Sequence, residues 1–315
     1  MSKAFELKEA GSIDQLQLIE VAKLIPSANE VIIEVKAISI NPVDVKTRLG
    51  KSFYNDFKEQ YHPIILGWDV SGIVESVGEN VTDFKIGDAV FGMVNFPGHG
   101  KAYAEYVAAP ASHLARKPEQ VSHEEAAAAT LAALTAYQVL KRHVHSGDSV
   151  LIHAAAGGVG HFAVQIAKIL GAHVTGTTSG KNIDFVKSLG ADIVIDYTEQ
   201  PFENSVKNLD FALDALSGET LERTIQTVRK GGTIITLPSA GFNEAVVEKG
   251  KENNITIAFE MVESNGDDMR QIADWLQSGK LKATVGHTFP FEKLSQAHAQ
   301  VETGKTRGKV IVTVP

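Results

Sequence analysis

The sequence predicts an α/β protein in which a doubly wound parallel sheet is inserted into a smaller β-rich domain. Three observations lead there. Residues 149–182, SVLIHAAAGGVGHFAVQIAKILGAHVTGTTSGKN, read as strand, glycine turn, helix, second strand and polar loop. Downstream, strand-like and helix-like segments alternate through ADIVIDY, DFALDAL and TIITLPS, the pattern of parallel strands joined by crossover helices. The N-terminal part instead carries short strands broken by glycines, as in a small barrel or sandwich.

Taken in order, NEVIIEVKAISI alternates as a strand, with Val31, Ile33, Val35 and Ala37 on one side. ILGWDVSGIVESVG and FKIGDAVFGM follow, with glycines at their ends. The texture changes near His123, where EEAAAATLAALTAYQVL reads as one helix. Ser122 is its N-cap and Glu125, three residues on, completes a capping box. Ser149 to His153 is then a β-prone run, and Val159, Phe162, Ala163, Ile166, Ala167 and Leu170 recur at helical spacing before Gly171 stops the helix. His173 to Thr177 is the second strand. ETLERTIQTVRKGG reads as a glycine-stopped helix and DDMRQIADWLQSGK as another. ATVGHTFPF and GKVIVTVP are extended, which brings the tail back to the first domain. The expected boundaries are 1–124 plus 284–315 for the β-rich domain and 125–283 for the sheet domain.

A strand, a glycine turn, an amphipathic helix and a second strand make a dinucleotide-binding βαβ unit. Ala155, Gly157 and Gly160 occupy its three fingerprint positions, with Ala155 replacing the first glycine. Gly157 lets the backbone approach a pyrophosphate, Gly160 lets the helix pack against the strand, and the unpaired amides of the helix start suit a phosphate. Gly158 and Val159 lie in the same turn. An NAD site places an acidic residue about 20 residues beyond the first glycine. Here the loop reads Gly176, Thr177, Thr178, Ser179, Gly180, Lys181, Asn182, with no carboxylate before Asp184. Ser179 and Lys181, after Thr178, would instead hold a 2′-phosphate, so NADPH is expected over NADH.

Composition narrows the function classes. The 315 residues are 43% hydrophobic and 22% charged, with a net charge of −8 and no basic block. Nucleic acid is therefore not expected as a partner. Zero cysteines exclude disulfides, thiolate catalysis and cysteine-ligated zinc. No apolar signal core opens the chain and no run long enough to span a membrane occurs, so a soluble cytoplasmic protein is expected.

Seven segments then carry a family likeness: INPVD (Ile40 to Asp44), ILGWDVSGIVESVG, FKIGDAVFG, LTAYQVL, AAAGGVG, SLGADIVIDY and the terminal RGKVIV. In this order, over nearly the full length, the chain resembles the medium-chain dehydrogenase/reductase superfamily. Within it, it is similar to the zinc-independent, zeta-crystallin-like quinone oxidoreductases and their enone-reductase relatives. The resemblance implies a GroES-like barrel domain interrupted by a Rossmann domain, with the active cleft between them. Zinc-dependent members carry cysteine, histidine and glutamate where this chain has Asn41, Trp68 and Asp69, so no metal is expected. Without a Lewis acid, alcohol oxidation is disfavoured. Hydride transfer to an electrophilic quinone or α,β-unsaturated carbonyl is expected instead, with donors placed where charge builds on oxygen.

The resemblance also implies residue roles. Asn41 lies near the nicotinamide ribose or the substrate oxygen, or forms the turn before Pro42. Tyr54 faces the cleft as a proton or hydrogen-bond donor, or simply packs. Thr135 in LTAYQVL contacts the cofactor near the nicotinamide, and Tyr197 lies near its 2′-phosphate and adenine. Leu237 and Pro238 line the nicotinamide side, and Lys309 lies near the cofactor with Arg307 assisting. Asp44 is expected to cap a helix after Pro42, and Asp214 to serve backbone amides in the next turn. His143 and His145 form an HxH pair expected to be solvated rather than metal-bound. Phe53, Phe57, Trp68, Phe96 and Phe242 would shape an apolar slot, and loops 95–101 and 241–251 would set specificity. ITIAFEMV is the candidate edge strand of a homodimer. Two alternatives to a quinone or enone reductase are an enoyl-thioester reductase and a non-catalytic NADPH-binding redox sensor.

Overall fold

An antiparallel pair of strands, β1 (Ser2–Leu7) and β2 (Leu16–Val21), opens the chain and leads into β3 (Glu30–Ile40). The expected inward residues of β3, Val31, Ile33, Val35 and Ala37, are all fully buried. Ile32, Ile38 and Ile40 are buried too, so β3 is covered on both faces over much of its length. It pairs along one edge with β4 (Asp69–Val77) and along the other with β6 (Tyr106–Pro110) and β15 (Lys309–Thr313). With β5 (Ala89–Met93), β7 (Ala115–Arg116) and β14 (Val285–Pro290), the sheet runs β14-β15-β3-β4-β5-β7. Two short helices, α1 (Pro42–Arg48) and α2 (Tyr54–Gln60), fill the connection from β3 to β4. The computed structural model describes residues 1–239 and 242–315; Gly241, which begins the second expected specificity loop, lies outside the described residues.

The alanine-rich segment is two helices, α3 (His123–Ala128) and α4 (Leu131–His143), rather than one. The capping box forms as expected: Glu125 N–H donates to Ser122 Oγ at 3.1 Å and Ser122 N–H to Glu125 Oε2 at 2.9 Å. The break comes at Thr130, whose hydroxyl donates to Ala127 O, while a buried carboxylate, Asp69 Oδ1, accepts the N–H of Leu131 at 2.9 Å. A side chain remote in sequence thus caps the second helix at its start.

From Thr135 to Val262 the chain forms its own compact unit. Its elements are β8 (Ser149–Ile152), α5 (Gly160–Ile169), β9 (His173–Thr178), α6 (Ile183–Ser188), β10 (Ile193–Asp196), β11 (Leu209–Asp214), α7 (Glu219–Thr224), β12 (Val228–Thr236), α8 (Glu244–Glu252) and β13 (Thr256–Phe259). The strands are all parallel in the order β10-β9-β8-β11-β12-β13, which reverses between β8 and β11. The expected glycine-stopped helix in ETLERTIQTVRKGG is half as long as read and gives way to strand: α7 ends at Thr224, and Val228 already belongs to β12. Gly231 and Gly232 mark a bulge, not a helix end. Gly231 has φ of +77°, and the register against β11 shifts there. A Cβ on Gly232 would sit 2.5 Å from Val228 Cγ1.

The chain then returns to the first unit through α9 (Gly266–Gln277), β14, α10 (Leu294–Glu302) and β15, and that unit comprises residues 1–134 and 263–315. The return falls earlier than the expected position 284 because α9 belongs with the barrel sheet. Gly266 packs so closely on the strand connection that an added Cβ would lie 2.5 Å from Ser112 O, and the Gln120 side chain donates to Gln277 O at 2.8 Å. The first unit likewise extends past 124, since α3 is tied to β4 by the His123–Ser71 hydrogen bond and the start of α4 by Asp69. No helix among the described residues is long and apolar enough to cross a membrane.

The tightest constraint in the second unit is at Gly160, where an added Cβ would be 2.1 Å from Ala154 O and 2.8 Å from Ala155 Cα; at Gly157 the nearest atom would be 3.1 Å away. Backbone cannot yield as a side chain can. Gly160→Ala is therefore expected to cost about 2–4 kcal/mol in urea unfolding and Gly157→Ala distinctly less. Equal losses would mean that the turn rearranges.

Candidate functional site

Two sets of residues carry chemistry, one in each unit. In the second unit they gather at the carboxyl ends of the strands, on either side of the β8/β11 reversal, where open parallel sheets place ligands. β8 runs out into His153 and Ala154, and Ala154 adopts φ of +49°, a left-handed conformation uncommon for a residue with a Cβ. Its carbonyl accepts the Gly157 N–H at 2.8 Å. Helix α5 then begins at Gly160 without a side-chain cap bond from its N-cap, Val159. The expected turn residues Ala155, Gly157, Gly158 and Val159 all lie in this turn between β8 and α5, with Gly160 at the head of the helix. His161 is fully buried on α5 and its Nδ1 bonds to Gly157 O at 2.9 Å, which holds the turn from beneath.

The other expected cofactor contacts lie at neighbouring strand ends. Thr178 closes β9, and the next residues wind into a single tight turn. Ser179 O accepts Asn182 N–H at 2.8 Å and Ser179 Oγ accepts Asn182 Nδ2 at 3.4 Å. Lys181 is exposed on this turn. Tyr197 follows β10, is 55% exposed, and donates its N–H to Thr178 O at 3.1 Å, so it stands beside the same loop. Leu237 and Pro238 follow β12, with Leu237 N–H donating to Asp214 O at 2.9 Å. Thr135 is nearly buried on α4. Asp214 does what the sequence suggested: its carboxylate accepts the N–H groups of Leu216 and Ser217 and the Thr236 hydroxyl at 2.9–3.1 Å.

Two residues here escaped sequence reasoning. His153 is buried between the Thr177 and Thr224 hydroxyls, at 3.0 and 2.9 Å, and burial, then the Arg223 charge, lowers it to about 4, so it is neutral. Asp196 ends β10 directly opposite Thr178. Its Oδ1 accepts both Thr198 N–H, at 2.9 Å, and Thr198 Oγ1, at 2.6 Å. Its Oδ2 abuts Gly180, where an added Cβ would be 2.5 Å away. The signal was the acidic residue closing the third strand, which only the sheet register connects to the Ser179–Lys181 loop.

The HxH pair separates. His143 bonds Glu260 and stacks parallel to the Phe211 ring, whereas the His145 side chain is exposed and pairs with Asp148. Among the described residues no three His, Asp or Glu side chains group as metal ligands.

In the first unit the chemistry is buried. Asn41 is the N-cap of α1, and its N–H donates to Asp44 Oδ2 at 2.6 Å, so Asp44 has the capping role expected of it. The Asn41 amide is held from both ends. Lys309 Nζ donates to Asn41 Oδ1, while Asn41 Nδ2 donates to Asp69 Oδ2 at 2.8 Å and, weakly, to Ser39 O at 3.5 Å. Lys309 Nζ also donates to Ile40 O at 3.3 Å and lies 4.0 Å from Asp69. Asn41, Asp69 and Lys309 are all at most 3% exposed. The structure therefore turns Lys309 inward, onto Asn41 and Asp69, and it spends the Asn41 amide inside the protein. Asn41 thereby has a positioning geometry rather than that of a free donor.

These groups do not fit a metal. Trp68, at the position of a zinc histidine in relatives, is an indole whose N–H donates to Gly98 O at 2.6 Å. Asn41 faces an ammonium, and both Asp69 oxygens already accept protein N–H groups. Burial lifts Asp69 above the usual carboxylate range, against the pull of Lys309, and burial depresses Lys309, against the pull of Asp69 and Asp44.

Beyond Asp44 the buried network continues. Tyr103 shares a 2.8 Å hydrogen bond with His298 Nε2, and burial, then the Arg48 charge, lowers His298 to about 3. Arg48 itself donates to Gly11 O and pairs with Glu302 at 2.8 Å. Tyr54, the expected proton donor, begins α2 with its ring buried; its oxygen accepts the Ala10 N–H at 3.0 Å. Packing around it is aromatic. Phe53, Phe57, Trp68 and Phe96 form one cluster with centroids 5.1–6.1 Å apart, joined by Tyr61 and His99, while Phe242 lies in the other unit against Phe259. Phe53 is the least buried of the four.

Asp44 offers a test by pH. Burial, the largest influence, and then the nearby Asp69 charge push its carboxyl from 3.8 up to about 8, although the Asn41 N–H pulls the other way. A raised acid keeps its proton in the folded state after the unfolded chain has lost it. Its contribution to stability is complete below about pH 4 and is lost as pH rises through about 8. Asp44→Asn keeps an acceptor for Asn41 N–H and removes the titration. The stability of the wild type relative to this variant, from urea melts, is expected to fall steadily between those limits. A flat difference would mean that Asp44 is ionised throughout.

The Alcohol dehydrogenase GroES-like domain family matches residues 27–119, and the Zinc-binding dehydrogenase family matches residues 189–312. The chain is 36% identical to a 2-methylene-furan-3-one reductase of Solanum lycopersicum, over 98% of this chain and 78% of that protein. It is 35% identical to the chloroplastic NADPH-dependent alkenal/one oxidoreductase of Arabidopsis thaliana, over 98% and 79%. Among solved structures, the quinone oxidoreductase from Coxiella burnetii superposes with a TM-score of 0.94 at 34% identity, covering 100% of this chain and 99% of that one.

Proposed function

The chain belongs to the medium-chain dehydrogenase/reductase superfamily, in its group of quinone and enone oxidoreductases, and on that premise we propose that it reduces quinones or α,β-unsaturated carbonyls with NADPH and without a catalytic metal. The observation that carries this reading is the Asn41–Lys309–Asp69 arrangement, in which an amide stands where relatives carry a zinc cysteine and is held between an internal lysine and a carboxylate. Alcohol oxidation needs a Lewis acid to ionise the hydroxyl; an enone or quinone is electrophilic without one.

NADPH, when bound, supplies the hydride. The chain's own residues hold and orient the reactants. The 155–160 turn and the start of α5 receive the pyrophosphate, as helix N-termini receive anions. Ser179 and Lys181 hold the 2′-phosphate by hydrogen bond and charge, with Thr178 and Tyr197 beside them. Thr135, Leu237 and Pro238 serve the nicotinamide end. In the first unit, Phe53 and the rings behind it give a flat apolar acceptor a surface of matching chemistry. Asn41, locked by Lys309 and Asp69, positions the start of α1. Tyr54 is assigned as the proton donor to the oxygen on which charge develops: Ala10 N–H orients its oxygen, and no protein acceptor takes its own proton among the described contacts.

The protein is also assigned as a homodimer through β13, an edge strand that pairs only with β12 among the described strands. A monomeric mass by light scattering would remove that assignment.

NADPH oxidation measured across quinones, enones, alkenals and enoyl thioesters tests the whole reading. Turnover is expected with the first three classes; binding of NADPH with none of them consumed would make the chain a sensor. For Tyr54→Phe, turnover is expected to fall about 100-fold with NADPH affinity unchanged, the signature of a lost proton donor. Full retention of turnover would reduce Tyr54 to packing.

A further inference from the structure

We propose that Asp196 is a specificity-determining residue at the adenosine-ribose end of the cofactor site, opposing the 2′-phosphate that Ser179 and Lys181 attract. This rests on the reading of the second unit as an NADPH site. The loop after β9 contains no carboxylate, but the sheet supplies one from the next strand. Asp196 closes β10 in register with Thr178, and Tyr197 N–H bonds to Thr178 O, so the ends of β9 and β10 are held side by side.

The direction of the carboxylate is set locally. Both Thr198 bonds go to Asp196 Oδ1, an aspartate turn that anchors one oxygen and leaves the other to point elsewhere. That other oxygen, Oδ2, accepts no protein hydrogen bond among the described contacts and rests against Gly180, in the middle of the 2′-phosphate loop. A Cβ at position 180 would be 2.5 Å from this oxygen and would displace it, so the glycine lets the carboxylate rest against the loop. The side chain is 8% exposed, so its field is poorly screened by water.

A carboxylate so placed has two consequences. It repels a 2′-phosphate, which lowers NADPH affinity below what Ser179 and Lys181 alone would give. It also offers an acceptor to a ribose hydroxyl, which is the interaction an NAD site uses. Cofactor choice is then a balance between Lys181 and Asp196, and the protein retains use of NADH.

The test is equilibrium titration of NADPH and NADH, read by nicotinamide fluorescence, on the wild type, Asp196→Asn and Lys181→Ala. The asparagine keeps the Thr198 turn and removes the charge. Asp196→Asn is expected to tighten NADPH about tenfold while NADH is unchanged or weaker, and Lys181→Ala to weaken NADPH by a similar factor. Should the asparagine variant fail to fold, Asp196→Ser, whose hydroxyl still accepts Thr198 N–H, gives the same readout. If Lys181→Ala lowers the NADPH-to-NADH affinity ratio but the Asp196 variants leave it unmoved or lower it, the proposal is overturned and the cofactor reading stands. If the wild type binds neither dinucleotide, the cofactor reading itself fails.

Discussion

Asp69 is completely buried on β4, and four elements of the first unit meet at its carboxylate. Oδ1 caps α4 through the Leu131 N–H; Oδ2 takes the amide of Asn41, the N-cap of α1; and Lys309, at the head of β15, faces it across 4.0 Å. A charge withdrawn from water persists only when it is paired and hydrogen-bonded. Losing Lys309 would leave the buried carboxylate without its charged partner, at a cost of about 3–5 kcal/mol. The break between α3 and α4 follows from the same requirement. Had the alanine-rich segment continued as one helix, the Leu131 N–H would be spent within it, and Asp69 would lose a donor.

The same constraint shapes the chemistry. An ammonium on a long side chain neutralises a buried carboxylate, but it cannot accept a substrate oxygen as a vacant metal coordination site does. Once Lys309 and Asn41 occupy that region, substrate activation has to come from the substrate's own electronics and from donors elsewhere. This is why a fold shared with alcohol dehydrogenases serves an acceptor that is already electrophilic.

Legibility in the sequence followed the range of the interactions. The βαβ unit, the Ser122–Glu125 capping box and the backbone role of Asp214 were all readable, because each is closed within a few residues. The split of the alanine-rich helix was not, since its cause lies 62 residues away at Asp69. Nor was the inward turn of Lys309, whose partner Asn41 is 268 residues distant. The strand hidden in ETLERTIQTVRKGG misled for another reason. A glycine pair after a helical stretch resembles a helix stop, and only pairing with β11 shows that it is a bulge.

Asp196 shows what this means for reading cofactor preference. The usual inference inspects the loop after the second strand for an acidic residue, and it treats that loop as though it were alone. In a parallel sheet, the neighbouring strand ends at the same height, a little under 5 Å away. A carboxylate there acts on the loop with nearly the strength of one within it, yet it lies some distance along the sequence. The absence of an acidic residue after β9 therefore measures one side of an electrostatic balance. The other side is set by the β9–β10 register, by the Thr198 turn that steers the carboxylate, and by the missing Cβ of Gly180 that admits it.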